Sequence, residues 1–135
     1  MDVKQAVRDV ASKFVYREDK RIIVDHWSVM KERDGKLYGD CDDFALTVIW
    51  KTCDENILKF FWYVMILHKH RIYHAKTHDG AGHAYGYADG LYFDNWTLEA
   101  LPKEEFFAKT KHRSKFFFPS PFMIVQLLVG LFTRR

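Results

Sequence analysis

The chain is short of several things, and each shortage removes a class of answer. It has two cysteines in 135 residues, Cys41 and Cys53. Carried on one helix they would stand about 18 Å apart, too far for a disulfide. The sequence therefore reads as a protein of a reducing compartment. Three prolines and seven glycines form no low-complexity linker, and no repeat is present, so residues 1–135 are expected to make a single domain. Net charge is only +3, from 21 basic and 18 acidic side chains, which is no nucleic-acid signal by itself. The first residues are polar and amphipathic, without a basic stretch leading into an apolar run. No secretory signal is expected, and a cytoplasmic location is.

Aromatic side chains, by contrast, are plentiful at 17%, within a hydrophobic total of 48%. Val3, Ala6, Val7, Val10, Ala11 and Phe14 recur at helical spacing, predicting a helix from Asp2 to Tyr16 with Asp2 as its cap. Asp34-Gly35 marks a turn. Lys59 to Leu67 is an aromatic and aliphatic run that reads as a strand buried on both faces. His70 to Lys76 is a candidate second strand. His83 to Ala88 and Leu91 to Trp96 flank Asp89-Gly90, a strong hairpin signal. Pro102 to Thr110 returns to a helical pattern, followed by a basic patch, Lys109 to Lys115, with His112 inside it. The tail from 116 to 135 is apolar but interrupted by Pro119, Ser120, Pro121, Gln126 and Gly130, short of the about 20 residues of a spanning helix. It is expected to dock on the domain, on a protein assembly or on a membrane surface. Helices first and strands later give an α+β class.

The chemistry gathers around Gly39-Asp40-Cys41-Asp42-Asp43-Phe44-Ala45. Apolar positions Phe44, Ala45, Val48, Ile49 and Thr52 predict a helix whose inward stripe reaches back to Cys41. Unpaired N–H groups and the positive end of the helix dipole stabilise a thiolate at such a helix start. A small buried hydrophobe is the bland alternative for the same cysteine.

The hairpin supplies possible partners. With Asp89-Gly90 as a two-residue turn, Ala88 faces Leu91 and Tyr85 faces Asp94. His83 and Asp94 then become diagonal neighbours on one face, with Cβ atoms about 7 Å apart. A carboxylate there fixes the imidazole tautomer, and a thiol facing the sheet would complete a Cys-His-Asp relay. Asn95 is the fallback third member.

These residues resemble a family. Gly39 to Ala45, then Gly82-His83-Ala84, then Leu91-Tyr92-Phe93-Asp94-Asn95 look like the bacterial transglutaminase-like cysteine peptidases. Asp25-His26-Trp27 is similar to the Asp-x-Trp that precedes their cysteine. Asp42 stands where the family often has Glu, and the chain is short for the family. The likeness implies a papain-like core, with the cysteine helix packed on a small antiparallel sheet. It implies Cys41 as nucleophile, His83 as general base and acid, and Asp94 as its orienter. The enzyme so implied is a thiol hydrolase, a cysteine peptidase or amidase with acyl transfer open to it, acting on a protein or peptide through a thioester. The Cys41 N–H can donate to the oxyanion; Trp27 and Tyr38 are candidates for the second donor.

No cofactor is required by this chemistry. Asp40, Asp42 and Asp43 are hard oxygen ligands for Ca²⁺ beside the thiol, or else caps for the helix. His70, His74 and His78 have zinc-ligand spacing only on a helix, whereas their surroundings favour a strand. The rival class is an idle structural or adaptor protein that keeps the fold. Small size, dense aromatics and an apolar tail would suit a phage product, with a virion-associated location.

Overall fold

A computed structural model describes residues 2–16, 29–30, 32–76 and 82–117 of the chain. Helix α1 (Val3–Lys13) starts where Asp2 accepts a hydrogen bond from the Gln5 N–H at 2.8 Å, and it buries Val3, Ala6, Val7 and Val10. It stops three residues short of the expected end at Tyr16. Phe14–Tyr16 leave it as strand β1 and pair in parallel with β3 (Lys36–Gly39), so ladder pairing of β-prone residues overrides helical periodicity there. Strand β2 (Glu32–Arg33) joins β3 through Asp34-Gly35, both at positive φ, giving a small sheet of order β1-β3-β2.

Helix α2 (Cys41–Thr52) begins one residue after Asp40, and the two ends of its first turn satisfy each other. Asp40 Oδ1 accepts from the Asp43 N–H at 3.2 Å, and Asp43 Oδ2 accepts from the Asp40 N–H at 3.4 Å. Gly39 is required by space. A Cβ there would meet Asp43 Cβ and Met30 Sδ, both at 2.8 Å. The expected stripe of Phe44, Ala45, Val48, Ile49 and Thr52 is buried throughout. Complete burial of a side chain such as Phe44 or Ile49 contributes about 1.5–3 kcal/mol.

The run Lys59 to Leu67 is not a strand. Asn56 caps α3 (Ile57–Phe60), accepting from the Leu58 and Lys59 N–H groups at 2.9 and 3.1 Å, and a π-helical turn continues over Phe61–Ile66. Phe60 and Val64, four apart, are buried, with Phe60 edge-on to Trp50 at 5.6 Å. Ile57, Leu58, Phe61, Trp62, Ile66 and Leu67 are exposed. A capped helical start with one inward stripe thus wins over the strand propensity of its aromatics.

The second sheet has order β6-β5-β4-β7, all antiparallel, built from β4 (His70–Lys76), β5 (Gly82–Ala88), β6 (Leu91–Phe93) and β7 (Arg113–Phe117). Its two faces are covered differently. Ile72, Ala84, Ala88 and Phe93 face α2 and, beyond it, α1, in one continuous core. Ala75, Tyr85, Tyr73 and Tyr92 face Phe106 and Phe107 of α4 (Lys103–Thr110), with Leu101. Gly86 lies opposite Phe93, and a Cβ added to it would collide with the Phe93 ring. The molecule is thus α+β, with helices on both faces of its larger sheet. The expected apolar tail gives up Phe116 and Phe117 to β7, and its remainder, 118–135, lies outside the described residues. Among the described residues no helix is long and apolar enough to cross a membrane.

Candidate functional site

Asp89 and Gly90, at φ 50° and 82°, turn β5 into β6 with Ala88 opposite Leu91, Tyr87 opposite Tyr92 and Gly86 opposite Phe93. This is the register read from the sequence, and it carries Asp94 to the level of Tyr85. Alternation then puts His83, Tyr85 and Asp94 on one face, the face covered by α4. His83 Nε2 lies 2.9 Å from Asp94 Oδ2, with both side chains buried. The other oxygen, Oδ1, accepts from the Trp96 and Thr97 N–H groups at 3.0 and 2.8 Å. The aspartate closes the turn that follows β6 and fixes the imidazole at the same time.

A second histidine shares that oxygen. His112 Nε2 is also 2.9 Å from Asp94 Oδ2, and its side chain is fully buried. Its ring stacks on Tyr85 at 5.7 Å and 14°, and meets Phe106 at 5.7 Å and 61°. Trp96 lies against both imidazoles, its centroid 4.8 Å from His83 and 5.4 Å from His112. In the sequence His112 sits inside a basic patch and carries no mark of this role. Lys111, in the left-handed conformation at φ 56°, ends α4 and turns the chain so that the next residue enters the sheet layer. That reversal is a tertiary event across 18 residues, with no local signature.

Burial alone would push the Asp94 carboxyl up. The hydrogen bonds from His112, His83 and the Thr97 N–H outweigh it and hold the group below the ordinary carboxylate range. Asp94 is therefore an anion inside an aromatic layer. With Nε2 engaged, Nδ1 is the His83 nitrogen left for proton transfer.

Cys41 is the first residue of α2, half-buried, and packs against the aliphatic core on the other side of the sheet. Among the described residues, the ligating atoms that lie within 4.8 Å of one another belong to His83, Asp94 and His112, and the thiol is not among them. Cys53, at the end of α2, is free and fully buried, and burial pushes its thiol up. The structure thus joins His83 to Asp94 and leaves Cys41 on a separate layer.

The chain matches no family model, no curated protein and no solved structure. The remaining candidates are accordingly placed by geometry alone. Tyr38 is on β3, half-buried and paired with Val15. Asn95 follows Asp94 in the turn, and its Oδ1 is buried without a hydrogen-bond partner. Trp27, with Asp25 and His26, lies outside the described residues. Asp40 spends an oxygen on the helix cap and Asp42 is buried in the first turn of α2. His70 and His74 are on strand β4, where a spacing of four spans about 13 Å; His78 lies outside the described residues. An open groove of about 450 Å³ is lined by Lys13, Met30, Leu37, Trp50 and neighbours, and neither Cys41 nor the polar cluster lines it.

Proposed function

We propose that the protein is a thiol hydrolase of transglutaminase-like, papain-like type, a cysteine peptidase or amidase. Cys41 attacks the carbonyl carbon of a peptide or side-chain amide, and the electron pair moves to oxygen as the tetrahedral oxyanion forms. The Cys41 N–H, at the start of α2, donates to that oxygen. His83 takes the thiol proton and returns it to the leaving amine, while Asp94 holds the ring. Water then attacks the thioester and regenerates the thiol; a second amine in place of water would give acyl transfer. The observation that carries the reading is the buried 2.9 Å pair between His83 Nε2 and Asp94 Oδ2. It supports a His–Asp relay because it fixes the imidazole and leaves Nδ1 for proton transfer. The capped start of α2 supports Cys41, since a helix N-terminus favours a thiolate. Cys41 packs on the α2 side of the sheet and His83 lies on its α4 side, so the reaction requires a rearrangement that brings His83 Nδ1 to Cys41 Sγ.

A second reading is favoured by the grouping of His83 and Asp94 with His112 rather than with Cys41. In it the protein keeps the fold without turnover and serves as a structural or adaptor component of a larger assembly, a phage particle being one. An electrophilic activity-based probe separates the two. Labelling of the wild type that is lost in Cys41→Ala, followed by substrate capture on that variant, supports the hydrolase. Full biological activity of Cys41→Ala would establish the adaptor.

A further inference from the structure

The polar cluster holds one histidine more than a proton relay needs. Asp94 Oδ2 is met at 2.9 Å by Nε2 of both His83 and His112, and the three atoms lie within 4.8 Å of one another. They come from three places in the fold: β5, the residue after β6, and the link between α4 and β7. The Trp96 and Thr97 N–H groups hold Oδ1, so Oδ2 is the oxygen presented to a single-point ligand. We propose that His83, Asp94 and His112 bind one divalent first-row transition-metal ion of the Zn²⁺ class through Nε2, Oδ2 and Nε2.

Two imidazoles with one carboxylate suit this class and disfavour Ca²⁺ and Mg²⁺, which take oxygen ligands. Bonds of about 2.0–2.2 Å at tetrahedral angles set ligand atoms about 3.3–3.6 Å apart, so each nitrogen–oxygen separation must open by about 0.4–0.7 Å. To bind the ion an imidazole gives up any proton on Nε2, and in a neutral ring that proton moves to Nδ1. His112 Nδ1 is buried without a partner, and a missing outer-shell acceptor weakens a metal site by about 10–100-fold. The ion is therefore exchangeable. It enters past Trp96, whose half-exposed ring lies against both imidazoles. The metal takes the atoms that would serve the relay, yet the proposal stands whether or not Cys41 is a nucleophile, because its readout is the metal itself.

The test adds CoCl₂ to the metal-free full chain. One Co²⁺ per chain is expected, with visible d–d absorption and no thiolate charge-transfer band. His112→Gln is expected to weaken binding about tenfold or more, and Cys41→Ser to leave it unchanged. No d–d band beyond that of aqueous Co²⁺, or equal binding by His112→Gln, overturns the proposal. Should His112→Gln fail to fold, histidine ¹⁵N NMR of the wild type with ZnCl₂ decides. Shifts at His83 and His112 together support the site, and shifts absent from either one overturn it.

Discussion

The two faces of the β6-β5-β4-β7 sheet are built on different principles. Toward α2 the strands offer small and aliphatic side chains, Ala84, Ala88 and Ile72, with Phe93 filling the space that Gly86 leaves. That layer is held by close packing. Toward α4 they offer Tyr73, Tyr85 and Tyr92, packed on Phe106 and Phe107, and inside the rings sits an anion met by two imidazoles. Packing tolerates a polar group only where its partners are supplied, and here four hydrogen bonds supply them. One sheet thus separates a layer that stabilises from a layer with reactive groups, and the candidate nucleophile lies on the stabilising side.

The largest break in this contrast is Asp94→Ala, which leaves two imidazoles and two N–H groups unpaired in a buried layer. A loss of about 3–5 kcal/mol is expected in urea unfolding. Gly86→Ala attacks the other layer by driving a methyl into Phe93, at a cost of about 1–3 kcal/mol. Ile49→Val, a methylene removed from the α2 core, is expected to cost about 0.5–1.5 kcal/mol and to leave the polar cluster intact.

Acid separates the layers more gently. His70 is buried on β4 opposite Ala88, and burial lowers its pKa. A depressed histidine contributes stability that is present above the unfolded value of about 6.5 and is lost as pH falls below it. Asp94, held below its ordinary range, contributes stability present above about 4 and lost as pH falls toward its folded value. Unfolding free energies measured against pH should therefore flatten below about 6.5 in His70→Phe, and below about 4 in Asp94→Asn. Identical profiles for all three proteins would deny both assignments.

Much of this was legible in local pattern. The α2 stripe, the Asp2 cap, the Asp34-Gly35 turn and the Asp89-Gly90 register all follow from spacing and turn chemistry. The register alone placed His83 beside Asp94. Lys59 to Leu67 misled because aromatic side chains favour strands in general, while Asn56 and the Phe60–Val64 stripe made a helix of this one. His112 was invisible because its place depends on how α4 ends and how β7 pairs. The layer on which Cys41 packs also escaped the sequence. Periodicity says that a side chain points inward, not against which side of a sheet.

The proposed relay requires Cys41 and His83, which lie on opposite sides of the sheet, to act on one another, and alkylation kinetics decide whether they do. Iodoacetamide at neutral pH should modify Cys41 far faster than the buried Cys53, and His83→Gln should slow Cys41 while leaving Cys53 unchanged. Equal and slow modification of both thiols, or a Cys41 rate indifferent to His83, would rule out the relay.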